Sequence, residues 1–273
     1  MSSSTCAHDV HDGDEDMQRR AGHFVWRELN TPDVDESKAF YSGLFGWTIV
    51  DTQVAMSGSM GESSFTLPMI GNGDDVIGAM IGSGGDGEHP PHWMPYVSVD
   101  DVDAAAAAAK EAGGKVGVEP FDLPRGRFSV VGDPSGAWIT AYANKAGDAD
   151  AKERPDIGDF CWETLVSQDL DAAKPFYKAV FGWTTRMGPM GTESVFDAAD
   201  GSGVADFQQA SNSGMPSAWF TYVAVDNLDD AKAKTEALGG QVQMPHVHIP
   251  GVGHIALIAD PHGAAIGLFQ PDM

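Results

Sequence analysis

The stretch WRELNTPDVDESKAFYSGLFGW, residues 26–47, occurs twice in this 273-residue chain, its second copy being WETLVSQDLDAAKPFYKAVFGW at residues 162–183. Trp26, Asp33, Phe40-Tyr41 and Phe45-Gly46-Trp47 recur as Trp162, Asp169, Phe176-Tyr177 and Phe181-Gly182-Trp183, at a constant offset of 136 residues. A tandem repeat constrains the fold more than any other feature here, because both copies must bury the same apolar pattern. Further matches follow. Trp93–Asp100 aligns with Trp219–Asp226, Gly113-Gly114 with Gly239-Gly240, and the DPSGA of residues 133–137 with the DPHGA of residues 260–264. Each half therefore holds two strand–helix–strand modules.

Within the repeat, Trp26–Leu29 alternates as a half-buried strand does. Asp33 followed by Glu36 fits a capping box at a helix start, Phe40 and Leu44 share a helix face, and Gly46 is placed to end the helix. In the second copy Asp169 is the cap, and Pro175 inside the helix predicts a kink or a later start, since proline removes a backbone donor. Thr48–Val54, Ser63–Leu67 and Val76–Met80 read as strands, and the Gly- and Pro-rich segment 82–91 joins the two modules of the first half. Asp101–Ala112, with its run of six alanines, reads as a helix. Arg127–Val131 and Ala137–Tyr142 close the half around the Asp133-Pro134-Ser135-Gly136 turn. The second half repeats the plan with a shorter hairpin region at Thr184–Gln209, a helix at Leu228–Leu238 and a final strand at Ala264–Phe269.

Composition narrows the partners. The net charge of −24 leaves no basic footprint for nucleic acid and repels anionic membranes. No apolar run approaches the length needed to span a bilayer. Two cysteines, Cys6 and Cys161, make no disulfide framework, so a reducing cytoplasm is expected. Residues 1–20 read as a disordered acidic tail without the marks of a signal peptide. The expected organisation is then a domain at 21–145, a linker at 146–156 and a second domain at 157–273.

The order of these motifs, strand, D-x6-FY helix, FGW, a second strand with a DVD helix, then DPxGA, resembles the vicinal oxygen chelate superfamily of glyoxalases, bleomycin resistance proteins and dioxygenases. The WxEL and GRF…DPxGA details are similar to its tandem glyoxalase-like bacterial members. The resemblance implies an α+β fold in which each domain is built of two βαβββ modules forming a U-shaped cleft. It also implies a divalent metal held by strand residues in that cleft. The corresponding positions are Trp26, Met94 and Thr140 in the first half, with a fourth near Gly78. In the second half they are Trp162, Phe220 and Gly267, with a fourth near Asp206. Such ions need several imidazole or carboxylate ligands at once. These positions supply one carboxylate between them, so neither a metal nor another cofactor is expected.

What the residues offer instead is an aromatic surface. Glu28 shares a strand face with Trp26, Tyr96 with Met94, and Tyr222 with Phe220. Such aromatics can be plain core, but as a set on one face they suit a flat or apolar small molecule. Glu28 among them should have a raised pKa suited to a general base, unless it pairs with Arg127. The second half has Thr164 at the position of Glu28. Arg127, or Arg125, could instead hold an anionic group of a ligand. The second half places His254 near the Arg127 position and adds His246, His248 and His262. His246-x-His248 on one strand with His254 on the next would allow a three-histidine site, whereas loop histidines are usually solvated. The reading is a small-molecule binder with a metal-free cleft. A metal-independent lyase, isomerase or hydroxylase-like enzyme using Glu28 is the alternative, and a metal-dependent glyoxalase or extradiol dioxygenase with relocated ligands is the third.

Overall fold

The computed structural model describes residues 19–58, 61–83 and 90–272. The first half contains β1 (Phe24–Thr31), α1 (Val34–Phe45), β2 (Thr48–Gly58), β3 (Gly61–Asn72), β4 (Asp75–Gly82), β5 (His92–Ser98), α2 (Val102–Glu111), β6 (Lys115–Leu123), β7 (Gly126–Gly132) and β8 (Trp138–Asn144). The second half contains β9 (Phe160–Ser167), α3 (Leu170–Phe181), β10 (Thr184–Met187), β11 (Glu193–Asp197), β12 (Gly203–Gln209), β13 (Ala218–Ala224), α4 (Leu228–Ala237), β14 (Gln241–Ile249), β15 (Gly253–Ala259) and β16 (Ala265–Pro271). Most of the expected tail, residues 1–18, lies outside the described residues. Arg19 and Arg20 are anchored, the Arg19 guanidinium donating to the carbonyls of Asp100 and Asn144 at 2.9 and 3.0 Å.

Each half is one eight-stranded sheet. The strand order is β2-β3-β4-β1-β5-β8-β7-β6 in the first and β10-β11-β12-β9-β13-β16-β15-β14 in the second. In both, two βαβββ modules meet through one antiparallel pair, β1 with β5 and β9 with β13. The fold is the α+β tandem arrangement that the repeats imply. Asp33, Asp101 and Asp169 each accept a hydrogen bond at 3.0 Å from the backbone N–H three residues on, fixing three helix starts in the same way. Gly46 and Gly182, at φ 76° and 72°, end α1 and α3 in the left-handed conformation that a residue without Cβ adopts freely. Pro175 does not delay α3, which begins at Leu170. It sits on the exposed side of the helix, where the carbonyl it leaves unpaired can meet water.

The apolar core lies between the halves rather than inside each. One cluster joins Val97, Ala109, Val131 and Ile139 to Phe176, Tyr177, Trp183 and Trp219. The other joins Leu29, Phe40, Tyr41 and Trp47 to Ile258, Ile266 and Leu268. Each cluster thus combines one module from each half, with α2 against α3 and α1 against α4. Hydrogen bonds repeat across the same boundary. The Tyr41 hydroxyl accepts from Trp93 Nε1 at 2.9 Å and donates to Asp260 Oδ2 at 3.2 Å. The Tyr177 hydroxyl accepts from Trp219 Nε1 at 2.9 Å and donates to Asp133 Oδ2 at 3.0 Å. Trp47 and Trp183 donate to the carbonyls of Gly158 and Gly22 at 2.7 and 2.8 Å. The FY, FGW and DPxG motifs are therefore the fastening between the halves.

The connection at 146–156 is pinned as well. Asp148 Oδ2 accepts from the Arg20 N–H and the Ser98 hydroxyl at 2.7 and 2.5 Å, and Lys152 pairs with Asp75, Asp156 and Asp159 at 2.7–2.8 Å. Tyr41→Phe should cost about 1–3 kcal/mol, because it strips a partner from a buried carboxylate and a buried indole N–H together. Urea denaturation measures it. A loss below about 0.5 kcal/mol would mean that neither group depends on the hydroxyl.

Candidate functional site

With the helices on one face of each sheet, alternation sends every second strand residue to the opposite, concave face. In the first half the register sets Trp26 opposite Tyr96 and Glu28 opposite Met94. It continues with Tyr96 beside Thr140 and Ser98 beside Tyr142, then Thr140 opposite Val130 and Tyr142 opposite Phe128. Tyr96 and Tyr142 meet edge to face at 5.8 Å, and Phe121 and Phe128 at 6.1 Å. The result is a cleft walled by aromatics, with one carboxyl near its centre.

That carboxyl is Glu28. Burial pushes its pKa up from 4.5 to about 7, and a hydrogen bond from the Tyr96 hydroxyl only partly offsets this. Tyr96 in turn is raised well above its usual value, first by burial and then by the neighbouring Glu28 charge. Thr140 Oγ1 lies near this phenol but outside hydrogen-bond geometry, and it is a buried polar atom without a partner. A buried orphan oxygen costs free energy unless something supplies it with a partner.

The second cleft is closed chemically. Asp206, whose pKa is raised by burial, accepts from Thr164 Oγ1 and from Trp162 Nε1, the latter at 3.1 Å. The Tyr222 ring lies against Gly267 so closely that a Cβ there would come within 2.2 Å of it. Trp162, Phe220 and Tyr222 are brought together, but around a carboxylate already occupied by hydrogen bonds from Thr164 and Trp162.

Arg127 and His254 do not join either cleft. Arg127 shares its strand face with the core residue Val131 and bonds Asp103 at the start of α2 at 2.7–2.8 Å, and Asp122 at 3.0 Å. It is therefore no partner of Glu28, and no cation pairs with Glu28 among the described ion pairs. His254 lies on the equivalent helix-bearing face of β15, in line with the core residues Ala256 and Ile258. Tyr142 and Phe128 also face this cleft, and alternation alone points to Tyr142, two residues beyond Thr140 on the same strand.

The metal that the fold family implies does not fit these clefts. Indole, thioether, phenyl and hydroxyl groups, two glycines and a single carboxylate, Asp206, stand at the strand positions concerned. No trio of His, Cys, Asp or Glu converges in either cleft among the described residues. A cavity of about 550 Å³ does exist between the halves, lined by Arg20, His23, Arg27, Lys152, Phe160 and Trp162 among others. Several of its charged groups are already paired, Arg27 with Glu163, Lys152 with three aspartates and His23 with Asp200. The first cleft is the better candidate because its carboxyl has no counter-charge among the described residues.

The chain belongs to the glyoxalase/bleomycin resistance protein/dioxygenase superfamily, whose family model matches residues 20–140 and 161–268. It is 34% identical over 258 residues to the glyoxylase candidate CFP32 of Mycobacterium tuberculosis (strain CDC 1551 / Oshkosh), covering 92% of this chain and 96% of that one. It is 30% identical over 266 residues to the anthracycline biosynthesis protein DauV of Streptomyces sp. (strain C5), covering 90% and 92%. Among solved structures it is similar to the 2,3-dioxygenase LapB of Pseudomonas sp. KL28, with a TM-score of 0.60 at 12% identity and 94% coverage of both chains. The Mn(II)-bound glyoxalase of Novosphingobium aromaticivorans gives a TM-score of 0.60 at 16% identity, covering 92% of this chain and 82% of that one. At such identities these two structures speak to the fold alone.

Proposed function

We propose that the concave cleft of the first half binds a flat, largely apolar organic molecule without a metal, with Glu28 meeting its polar end. The observation that carries this reading is a carboxyl set among Trp26, Met94 and Tyr96 with no cation paired to it among the described residues, and burial there pushes its pKa up to about 7. Such a group costs stability in an empty protein and becomes useful when a ligand offers it a hydroxyl or an acidic C–H. Trp26, Met94, Tyr96 and Tyr142 supply the faces on which a ring system stacks, and Thr140 Oγ1 supplies a further polar contact. The likeness to proteins named for anthracycline biosynthesis supports a polycyclic aromatic ligand, since anthracyclines are flat fused-ring molecules with phenolic hydroxyls.

A second reading has Glu28 move a proton. A general base works best with a pKa near the working pH, and about 7 meets that condition. Abstraction of a proton next to a carbonyl, as in a metal-independent isomerase or lyase, also needs a hydrogen-bond donor for the developing enolate oxygen, and the Tyr96 hydroxyl beside Glu28 is the group placed to supply it.

The test is mass spectrometry of molecules retained by the native protein, followed by fluorescence titration with a dihydroxyanthraquinone. Trp26→Ala should weaken binding about tenfold through lost stacking, while a chelator leaves it unchanged. Binding that disappears with the chelator, or that ignores Trp26→Ala, would end the metal-free reading of this cleft.

A further inference from the structure

A second cluster of chemistry-bearing side chains lies far from the proposed ligand cleft, in the other half and on the opposite type of face. β14 carries His246 and His248, β15 sets His254 directly opposite His248, and Asp272 follows the end of β16. In the first half the equivalent place is filled by the Arg127 ion pairs. Here the charges are replaced by imidazoles and one carboxylate.

The geometry is that of a ligand set. His248 Nε2 and His254 Nε2 each stand 3.4 Å from Asp272 Oδ1, and the three ligand atoms lie within 4.8 Å of one another. Two donors each about 2.1 Å from a tetrahedral zinc-type ion are themselves about 3.4 Å apart. The outer contacts are also made. The far nitrogen of His254, Nδ1, is hydrogen-bonded to His246 Nε2 at 2.7 Å, and the far oxygen of Asp272, Oδ2, accepts from the Gly251 N–H at 3.2 Å. A hydrogen bond donated by the distal nitrogen, here His254 Nδ1–H to His246 Nε2, goes with the tautomer that leaves Nε2 free to ligate. Ion pairing alone explains the arrangement poorly. The His248 and His254 rings stack at 4.4 Å and 19°, where two imidazolium ions would repel.

The structure assigns to His248, His254 and Asp272 a binding site for one divalent transition-metal ion of the zinc type, with His246 orienting His254. Two imidazoles and a carboxylate select zinc, nickel or copper over magnesium or calcium, which take oxygen ligands. The site faces solvent, so water completes the coordination. The ion would tie the end of β16 to the β14–β15 hairpin, the outer edge of the second sheet. This is a structural clip and does not depend on what the first cleft binds.

The experiment uses the full chain after dialysis against a chelator, carrying Cys6→Ser, His8→Ala and His11→Ala so that the N-terminal residues cannot contribute. Zinc chloride is titrated by calorimetry, and thermal unfolding is followed with and without it. One equivalent should bind, with Tm rising by several degrees, and magnesium should do neither. His254→Ala and Asp272→Asn should each weaken zinc at least thirtyfold, while His262→Ala, outside the cluster, should not. Asp272→Asn is nearly isosteric at the chain end, which keeps the test open if His254→Ala fails to fold. Absence of stoichiometric binding, or zinc affinity that survives Asp272→Asn, overturns the assignment.

Discussion

Arg27→Met is expected to cost about 3–5 kcal/mol, enough to remove a large share of the stability of an ordinary domain. Arg27 lies on the helix-bearing face of β1 and reaches across to Glu163 on β9, its Nη2 and Nε standing 2.7 and 2.8 Å from the same carboxylate oxygen. Glu163 is completely buried, Arg27 only 13% exposed, and the other carboxylate oxygen accepts from Thr221 Oγ1. Burial raises the Glu163 pKa, with Arg27 and Thr221 pulling the other way. Removing the guanidinium leaves burial unopposed except by one hydroxyl.

The folded-state pKa of Glu163 then rises further above its unfolded value, so the native state binds the extra proton. Stability of the variant should fall as pH rises above about 4.5 and should be least impaired in mild acid. Pairing the change with Glu163→Leu should recover most of the loss, since an apolar pair of similar volume replaces buried charges at little cost. Urea denaturation at pH 5 and pH 8 reads both effects. A single variant that loses less than about 1 kcal/mol, or a double variant no better than the single one, would show that the pair is not what holds this point of the core.

Glu28→Gln is expected to act in the opposite direction. Moving a carboxyl from 4.5 to about 7 on folding means that the native protein forfeits about 3 kcal/mol once both states are ionised. The sign follows from the raised pKa. Between about pH 4.5 and 7 the folded state holds a proton that the unfolded state has released, so stability declines with rising pH and levels off above 7. Glutamine resembles the protonated form and can still accept from Tyr96. The variant should match the parent near pH 4 and exceed it by up to about 3 kcal/mol at pH 8, with residual solvent contact making this the upper limit. Binding to the first cleft should weaken at the same time, the usual exchange of stability for function. A gain of equal size at every pH would mean that the effect has nothing to do with ionisation.

Much of this was legible in the chain, and the reasons differ by residue. The 136-residue offset exposed the tandem halves because both copies bury the same aromatic residues. The family resemblance supplied Trp26, Met94 and Thr140 as equivalent cleft positions, and strand alternation added Glu28 beside Trp26 and Tyr96 beside Met94 because the side-chain period of a strand is two. Alternation applied to Arg127 needed the register of β7, where Phe128 faces the cleft and its neighbour turns to Asp103 on α2. The edge strand β6 was harder to see because register shifts at Val116/Val118 and Val118/Phe121 break its period. The cross-half partners were out of reach. A repeat shows that Tyr41 and Tyr177 are equivalent, but not that each hydroxyl reaches a carboxylate of the other half.

Arg27 and Glu163 occupy the same position of the repeat, 136 residues apart, and they meet each other. Two N-terminal halves brought together in this way would set guanidinium against guanidinium, and two C-terminal halves would bury a pair of carboxylates. The halves thus carry complementary halves of a lock where a symmetric pair would need a residue able to match itself. Mispairing of like halves between neighbouring chains, the hazard of any duplicated domain that keeps its core at the joint, is opposed at that one point by charge.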